Sequence, residues 1–191
     1  MEQIRSFIAI ELPEEVKLKL SQLEAQLKSG HSGVKWVEPT GIHITLKFLG
    51  NIAINRTEEV TRAMEEAGRG IPPFRLEVKE LGAFPSLKLV QVVWVGLSGE
   101  VDKLSRLQQR LESNLERLGF APEGRAFTPH LTLARVRNQA SRDERERLGQ
   151  LITATSLEAG TIEVDAISLM RSQLTRQGAV YSRVSSVPLR S

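Results

Sequence analysis

Near the start of the chain, the spacing of apolar residues changes from that of a strand to that of a helix. The segment Ile4–Leu12 is short and mostly apolar, which is typical of a buried strand. The next segment, Pro13–Lys28, begins with proline, a residue that is favoured at the start of helices. Its apolar positions recur every three or four residues, at Val16, Leu20, Leu23 and Leu27. The pattern predicts a strand and then an amphipathic helix.

The same succession of elements recurs later in the chain. A strand predicted at Leu89–Leu97 precedes a helix predicted from about Glu100 to Leu118, and Gly119 follows as a stop signal. In each half a second helix, a strand and a closing β-rich run follow. These segments are Arg56–Ala67, Phe74–Leu81 and Leu89–Leu97 in the first half, and Arg142–Ile152, Thr161–Leu169 and Ala179–Val187 in the second.

Two copies of a short polar motif mark this repeat. His43-Ile44-Thr45-Leu46 returns as His130-Leu131-Thr132-Leu133, 87 residues further along the chain. The flanks keep the same spacing, because Ile8 and Val95 each lie 35 residues before the histidine of their half. Self-similarity at a fixed distance indicates repeated structural units. We infer an internal duplication.

The repeat predicts an α+β protein in which residues 1–191 form one bilobal domain. We expect each lobe to have the order β-α-β-α-β-β and a pseudo-twofold axis to relate the two lobes. Antiparallel sheets are expected to face a central cleft, with the helices outside. The run Leu89–Leu97 both closes the first half and opens the second. We therefore expect strands to exchange between the lobes.

Composition places the chain among ordinary globular proteins. Of its 191 residues, 40% are hydrophobic and 26% are charged, proportions that do not suit a disordered chain. The apolar runs are too short to span a bilayer and the first residues lack the pattern of a secretion signal, so no membrane association is expected. Cysteine is absent, which excludes disulfides and thiolate chemistry and is compatible with the cytoplasm. We expect a cytoplasmic monomer.

The net charge of +3 and the pI near 9.4 leave two interpretations open. A mildly basic surface can serve solubility alone. It can also attract polyanions, since contacts with phosphates supply much of the affinity of proteins for nucleic acids. Charge by itself does not decide between these interpretations.

Side chains alternate along a strand, so each motif divides into two faces. His43 and Thr45 share one face, and Ile44, Leu46 and Phe48 are expected on the other face, which packs against helices. The second motif repeats this division, with its histidine and threonine on one face and its two leucines on the other. Under twofold symmetry both polar pairs meet in the cleft. Two imidazoles and two hydroxyls are then expected to converge on one point.

Such a group of side chains suits in-line displacement at phosphorus. A neutral imidazole can take a proton from the attacking nucleophile, and an imidazolium can give a proton to the leaving oxygen. Histidine serves both roles because its ordinary pKa, about 6.5, is close to neutral pH. The threonine hydroxyls can donate hydrogen bonds to non-bridging phosphate oxygens. The sequence therefore predicts a phosphoesterase site with His43, Thr45, His130 and Thr132.

Structural histidines and a metal site are the alternatives. The chain has three histidines, and the two in the motifs share both the threonine two residues later and the equivalent position in the repeat. His31 has neither feature and is expected in a solvent-exposed loop. The His-x-Thr spacing offers no second metal ligand nearby, and no further cluster completes a coordination shell. Serine triads, P-loops and glycine-rich dinucleotide loops are also missing. We expect no metal and no cofactor.

These segments resemble the two-histidine phosphoesterase superfamily, and most closely the RNA 2′,3′-cyclic phosphodiesterases of bacteria and archaea, historically called 2′-5′ RNA ligases. The resemblance rests on Arg5–Ile10, Trp36–Gly50, Phe127–Arg135 and Leu169–Ser172, which together span nearly the whole chain. It implies His43 as proton donor to the leaving oxygen, His130 as proton acceptor from water, and Thr45 and Thr132 as phosphate ligands. The residues alone leave acid and base interchangeable. The implied substrate is RNA or an oligonucleotide with a cyclic phosphate end, tRNA fragments included, and the product carries a 2′-phosphate.

Further residues have open interpretations within this resemblance. Arg135 can hold phosphate with a bidentate fork, but strict alternation places it opposite His130 unless the strand bulges or ends near Ala134. Otherwise it is a surface arginine. Phe7 either stacks on a nucleobase or packs in the core. Trp36, Lys47 and Arg171 are weaker candidates for the edge of the cleft.

Three functions compete. The first is hydrolysis of cyclic phosphate ends. The second uses the same site in reverse to join a 5′-hydroxyl to a cyclic phosphate, but water at about 55 M outcompetes a dilute hydroxyl unless a second RNA is held in place. The third is a non-catalytic nucleotide- or RNA-binding module, which we would expect to have lost a motif residue. All four motif residues are present, so hydrolysis is the leading hypothesis.

Overall fold

The computed structural model describes residues 1–28 and 33–191 and, for residues 158 and 159, the backbone alone. The described residues form nine strands and four helices. The strands are β1 (Gln3–Glu11), β2 (Val34–Trp36), β3 (His43–Ala53), β4 (Phe74–Pro85), β5 (Val90–Gly99), β6 (His130–Val136), β7 (Glu158–Val164), β8 (Ala166–Thr175) and β9 (Gly178–Pro188). The helices are α1 (Glu14–Leu27), α2 (Thr57–Gly68), α3 (Val101–Glu116) and α4 (Arg142–Ala154). Short 3₁₀ turns at Pro39–Gly41 and Ile54–Arg56 precede β3 and α2.

The strands form two antiparallel sheets, one for each lobe. The four-stranded sheet has the order β3-β1-β8-β9, and the five-stranded sheet has the order β2-β6-β5-β4-β7. Each sheet combines strands from both halves of the chain, since β8 and β9 join the first motif strand while β2 and β4 join the second. The predicted two-lobed α+β fold and the exchange of strands between lobes are confirmed.

The helices also pack across the two halves. Helix α1 contacts β7 of the five-stranded sheet, α3 contacts β3 of the four-stranded sheet, and α2 packs on both α3 and β9. Helix α4 contacts β4 and β5. Because each half supplies helices and strands to the other, neither lobe has a core that belongs to one half alone.

Three details differ from the expectation of two equal lobes. The predicted strand Thr161–Leu169 is divided at Asp165, where β7 ends in one sheet and β8 begins in the other. Buried apolar residues continue on both sides of this junction, so the pattern alone shows one strand. The pattern does not predict β2, because three residues are too few for a periodic signal. The two closing runs also differ, since β5 lies inside its sheet whereas β9 is an edge strand.

Strand β1 shows how the core leaves the cleft face free. Ile8 and Ile10 belong to the large apolar core, whereas Phe7 and Ala9 form a small separate cluster with Met170. Successive side chains of a strand point to opposite faces, so this small cluster lies on the face of the sheet turned away from the helices. That face carries the site. No helix of the described ranges, 1–28 and 33–191, is long and apolar enough to cross a membrane.

Candidate active site

The two motif strands, β3 and β6, approach each other and line one open cleft of about 530 Å³ between the sheets. His43, Thr45, His130 and Thr132 all line this cleft and are all partly exposed. The residues that alternate with them in the strands are buried, as the division into two faces requires. The structure thus brings together the four residues that the repeat predicted to converge. Their chemical roles stay predictions.

A β-bulge follows the first motif and reverses the direction of the side chains beyond it. Thr45 and Lys47 pair with successive residues of β1, which leaves Leu46 as the extra residue. An extra residue shifts the alternation of the strand by one position. Phe48 therefore lines the cleft with 67% of its surface exposed, and the expectation that it lies on the core face is wrong.

An equivalent bulge follows the second motif. Thr132 and Ala134 pair with successive residues of β5, which leaves Leu133 as the extra residue. Leu133 lies 87 residues after Leu46, the same offset that separates the two histidines. Because of this bulge Arg135 turns towards the cleft, which it lines with an exposed side chain. The sequence predicted that Arg135 could reach the cleft only if the strand bulged or ended near Ala134. The bulge at Leu133 meets this condition.

The imidazole of His43 is enclosed by aromatic rings. The ring of Phe7 stacks on it with the centroids 4.6 Å apart, and the ring of Tyr181 meets it edge-on at 5.2 Å. Gly41 makes room for the tyrosine, because a Cβ at this position would lie 2.8 Å from the ring. These contacts hold the imidazole in one orientation and remove much of it from water.

Burial lowers the pKa of His43 to about 4, from 6.5 for an exposed imidazole. The charge of Lys17 acts in the same direction, whereas the charge of Glu11 and a hydrogen bond with the backbone of Gly41 oppose it. Glu11 faces His43 across the ladder of β1 and β3. In the free protein at neutral pH, His43 is therefore uncharged.

His130 is oriented by a hydrogen bond with the backbone. Its Nδ1 lies 2.7 Å from the carbonyl oxygen of Thr128, and since a carbonyl only accepts, Nδ1 carries the proton. This bond leaves Nε2 as the nitrogen that is available for chemistry in the cleft. The ring of Phe84 meets the imidazole edge-on at 5.3 Å. The orientation of His130 is thus fixed by a backbone carbonyl and one aromatic ring, whereas that of His43 is fixed by two aromatic rings.

Phe7 does not offer a surface for a nucleobase. It is 2% exposed, and its ring contacts His43 as well as Phe48 and Tyr181, whose centroids lie 5.8 and 5.5 Å away. A buried ring has no free face on which a base can stack. Of the two interpretations left open by the sequence, packing fits the structure and base stacking does not.

Of the three weaker candidates for the edge of the cleft, one lines the cleft and two do not. Lys47 lines the cleft, although its Nζ is paired with Glu112 at 3.0 Å. Trp36 packs against the core, and Arg171 pairs with Glu2 at 3.5 Å. Neither of these two lines the cleft. His31, expected in an exposed loop, lies outside the described residues.

Among the cleft residues that sequence reasoning missed are Phe48, Arg125 and Tyr181. Phe48 lies five residues after His43, as Arg135 does after His130, so the bulge considered for the arginine would also have placed the phenylalanine. Arg125 lies in the segment between α3 and β6, and Tyr181 lies in β9. No periodic signal near either motif points to them.

The side chains that line the cleft can bind an oxyanion and transfer protons. The threonine hydroxyls, with Arg125 and Arg135, supply donors for phosphate oxygens, and the two imidazoles supply an acceptor and a donor of protons. In the described part of the chain, no three His, Cys, Asp or Glu side chains are grouped so that they could hold a metal ion.

Comparison with known proteins gives related sequences over almost the whole chain. The model of the family described as "LigT like Phosphoesterase" matches residues 10–94 and again residues 95–181. The RNA 2′,3′-cyclic phosphodiesterase of Methanothermobacter thermautotrophicus is 34% identical over 94% of this chain and 96% of its own length. The protein of the same name from Aeropyrum pernix is 37% identical over 82% of this chain and 88% of its own length.

Solved structures agree with the sequence comparison. A crystal structure of a protein from Thermus thermophilus has a TM-score of 0.78 at 28% identity and covers 98% of both chains. Escherichia coli LigT, solved in complex with 3′-AMP, has a TM-score of 0.79 at 23% identity and covers 100% of both chains. At that identity the second likeness concerns the fold alone. With its matched family model and its relatives above 30% identity, the chain belongs to the LigT-like phosphoesterase family.

Proposed function

We propose that the protein hydrolyses 2′,3′-cyclic phosphate ends of RNA or oligonucleotides to 2′-phosphates, by metal-independent acid–base catalysis with His43 and His130. The observation that carries the proposal is one cleft in which both histidines meet two threonine hydroxyls and Arg135. Relatives that match most of the chain are named RNA 2′,3′-cyclic phosphodiesterase, and this name supports the substrate.

In the proposed reaction, Nε2 of His130 accepts a proton from water while the oxygen of that water attacks phosphorus. The bond from phosphorus to the ribose 3′-oxygen breaks, and His43 gives its proton to this oxygen. Thr45 and Thr132 donate hydrogen bonds to the non-bridging oxygens, and Arg135 balances their charge. In-line displacement requires acid and base on opposite sides of the phosphate, and the proposal is supported by the origin of His43 and His130 in two different strands that line the same cleft.

The proton of His43 has to be explained, because this imidazole is uncharged in the free protein at neutral pH. A phosphate bound beside Thr45 brings a negative charge close to the imidazole. An opposite charge within about 4–6 Å raises the pKa of a histidine by about 1–3 units. His43 would therefore carry the proton in a larger fraction of the substrate complex than of the free protein. The low pKa of the free imidazole also favours the reverse assignment, with His43 as base and His130 as acid, and a titration of His43 with and without phosphate decides between the two.

The exposed aromatic rings suggest where the terminal nucleobase binds. Phe48 is 67% exposed and Tyr181 is 37% exposed, both line the cleft, and both rest on the buried ring of Phe7. A supported aromatic face beside a phosphate site suits a nucleobase of any sequence. A base on Phe48 would place the ribose on the His43 side, which supports His43 as donor to the ribose oxygen.

One chain is proposed to be the working unit. Both lobes contribute to the cleft, and residues of the first and second halves complete each sheet, so a single chain holds the whole site. We therefore propose a monomeric enzyme and one bilobal functional domain of residues 1–191. Its proposed partners are RNA ends with cyclic phosphates, tRNA fragments among them, and its proposed location is the cytoplasm.

Incubation with an oligonucleotide that ends in a 2′,3′-cyclic phosphate tests the proposal. We expect a product with a 2′-phosphate, identified by chromatography against authentic 2′- and 3′-phosphates, and an undiminished rate after exhaustive chelation. The matched control is the double variant His43→Ala/His130→Ala, purified in parallel. Binding without turnover would support the non-catalytic alternative. A rate abolished by chelation and restored by zinc would contradict metal independence.

The same incubation separates hydrolysis from ligation. A second oligonucleotide with a 5′-hydroxyl is added at increasing concentration, and the products are resolved by length. We expect hydrolysis to dominate, because water is present at about 55 M and competes with any hydroxyl that the protein does not hold. A joined product that exceeds the hydrolysed one at low concentration of the second strand would favour the 2′-5′ ligase.

A further inference from the structure

Helix α3 belongs to the second half of the chain, but its side chains reach the motif strand of the first half. Gln108 is 8% exposed, and its side-chain amide donates a hydrogen bond to the carbonyl oxygen of Leu46 at 3.4 Å. Leu46 is the extra residue of the bulge, so no residue of β1 lies opposite to it. Gln108 thus bonds to the backbone at the point where the sheet ladder is interrupted.

One turn further along α3, Glu112 forms an ion pair with the next residue of the motif strand, Lys47. The Nζ of Lys47 lies 3.0 Å from Oε1 of Glu112 and also donates to the carbonyl oxygen of Ala121 at 2.7 Å. The other carboxylate oxygen of Glu112 accepts a hydrogen bond from the backbone N–H of Glu123 at 3.1 Å. Lys47 is 7% exposed, and a buried pair with several hydrogen bonds has a defined geometry.

These bonds connect the first motif to the approach to the second. Ala121 and Glu123 lie between α3 and β6, in the segment that continues to Arg125 and Thr128. The carbonyl oxygen of Thr128 is the group that orients His130. Gln108, Glu112 and Lys47, which we name the α3 strut, therefore link the strand of one histidine to the segment that orients the other.

The second bulge is held in the same manner by the opposite half. The carbonyl oxygen of Leu133 accepts a hydrogen bond from the backbone N–H of Val37 at 2.8 Å. Val37 directly follows β2, which belongs to the first half of the chain. Each bulge is thus held by a group from the half that does not contain it. This crosswise arrangement couples the positions of the two motif strands.

We propose that Gln108, Glu112 and Lys47 of the α3 strut are positioning residues for the reaction. They act through the bulge and through the segment before β6, and they set the separation and orientation of His43 and His130. The inference rests on the proposed function, since it concerns the same cleft. In-line transfer between two fixed imidazoles is sensitive to this geometry, because a misplacement of about 1 Å can reduce the rate about 100-fold.

Two strut variants and a matched control test this role. Gln108→Leu keeps the size of the side chain and removes its amide, and Glu112→Gln keeps an acceptor and removes the charge. The control is Asn114→Leu, because Asn114 of the same helix donates to the carbonyl oxygen of Ala63 in α2 at 3.1 Å, also across the halves. Hydrolysis of adenosine 2′,3′-cyclic phosphate is measured for kcat, KM and the ratio of 2′- to 3′-phosphate, and the folded fraction is measured by circular dichroism.

We expect Gln108→Leu to lower kcat about 10- to 100-fold, to change KM less than about threefold, and to release some 3′-phosphate. Glu112→Gln should fall between this variant and the wild type. Asn114→Leu should keep the wild-type kcat and product. Wild-type kcat in Gln108→Leu, an equal loss in Asn114→Leu, or a loss fully explained by the folded fraction would overturn the positioning role. A wild-type protein without turnover would instead contradict the proposed function, so the two failures are distinguishable.

Discussion

The two histidine sites are equivalent in chain position but differ in their surroundings. His43 lies against the rings of Phe7 and Tyr181, and burial holds its pKa at about 4. His130 is oriented by a backbone carbonyl and has Arg135 on the cleft side of its own strand. Five residues after each histidine, the same bulge presents an aromatic ring in one half and a guanidinium in the other.

The difference shows how a duplicated backbone becomes an asymmetric site. The bulge determines that the fifth residue after the histidine faces the cleft, and the type of that residue determines what it can bind. A cyclic nucleotide is itself asymmetric, with a nucleoside on one side of the phosphorus and an attacking water on the other. Phe48 suits the nucleoside side, and Arg135 suits the phosphate.

The largest effect is expected from removal of either imidazole. His43→Ala and His130→Ala should each lower kcat for adenosine 2′,3′-cyclic phosphate by at least about 100-fold, the low end for a general acid or base. The double variant should lose little more than the worse single variant, because groups that act as a unit are not additive. Steady-state rates of the three variants provide the measurement. If either single variant keeps a rate within about tenfold of the wild type, the two histidines are not both catalytic.

The next largest effect should distinguish the role of Phe48 in binding the nucleobase from the role of Arg135 in binding phosphate. Phe48→Ala should raise KM for adenosine 2′,3′-cyclic phosphate about 5- to 150-fold, since a base stacked on an aromatic ring contributes about 1–3 kcal/mol. Inhibition by inorganic phosphate should not change, because phosphate has no base. Arg135→Ala should weaken both nucleotide and phosphate. Leu174→Ala, at a residue of β8 that is 73% exposed, is the matched control. Equal loss of phosphate inhibition in the Phe48 and Arg135 variants would contradict the division of roles.

A titration of His43 decides which histidine is the acid. Nuclear magnetic resonance should give a pKa of about 4 for this imidazole in the free protein, because burial penalises its charged form. With saturating inorganic phosphate the pKa should rise by about 1–3 units, the effect of a nearby opposite charge. His43→Asn, which lacks this imidazole, serves to assign its resonances. A pKa that stays at about 4 with phosphate bound would exclude His43 as donor and exchange the two roles.

The smallest effect concerns stability against acid. The unfolded chain protonates His43 below pH 6.5, whereas the folded chain protonates it only near pH 4, so acid favours unfolding in this window. Between pH 7 and pH 4.5 this histidine should reduce the free energy of unfolding by about 2 kcal/mol. His43→Asn should remove this part of the pH dependence, as measured by urea unfolding.

The comparison with the variant is needed because Glu24 acts in the opposite direction. Burial raises the pKa of Glu24 to about 7, so the folded chain keeps this carboxyl protonated where the unfolded chain loses the proton. Its contribution to stability is present in acid and is lost as the pH rises towards 7 and above. The two effects partly cancel in the wild type. If the curves of wild type and His43→Asn have equal slopes, burial of His43 does not have the expected effect.

Local pattern was sufficient for the four helices, for most of the strands and for the four motif residues. The helix predicted over Pro13–Lys28 is observed as Glu14–Leu27, with its four predicted apolar positions buried. The equal offset of the two motifs was sufficient to expect both histidines in one cleft. These features follow from short-range periodicity and from self-similarity, which a single sequence contains in full.

The directions of Phe48 and Arg135 could not be read in this way, because strict alternation places both on the wrong face. A bulge depends on partners that are distant in the chain, and here the amide of Gln108 and the backbone N–H of Val37 bond to the two bulge carbonyls. Tyr181 likewise reaches His43 only because β9 joins the sheet of β1 and β3.

The residue types alone therefore establish the chemistry that is available, two imidazoles and two hydroxyls in a repeated motif. Which side chains surround each imidazole is decided by the exchange of strands and helices between the halves. That exchange brings Tyr181 to His43 and Phe84 to His130, and burial among the rings lowers the pKa of His43. The physical reason is that burial and hydrogen bonding depend on contacts between distant segments, which the local order of residues does not encode.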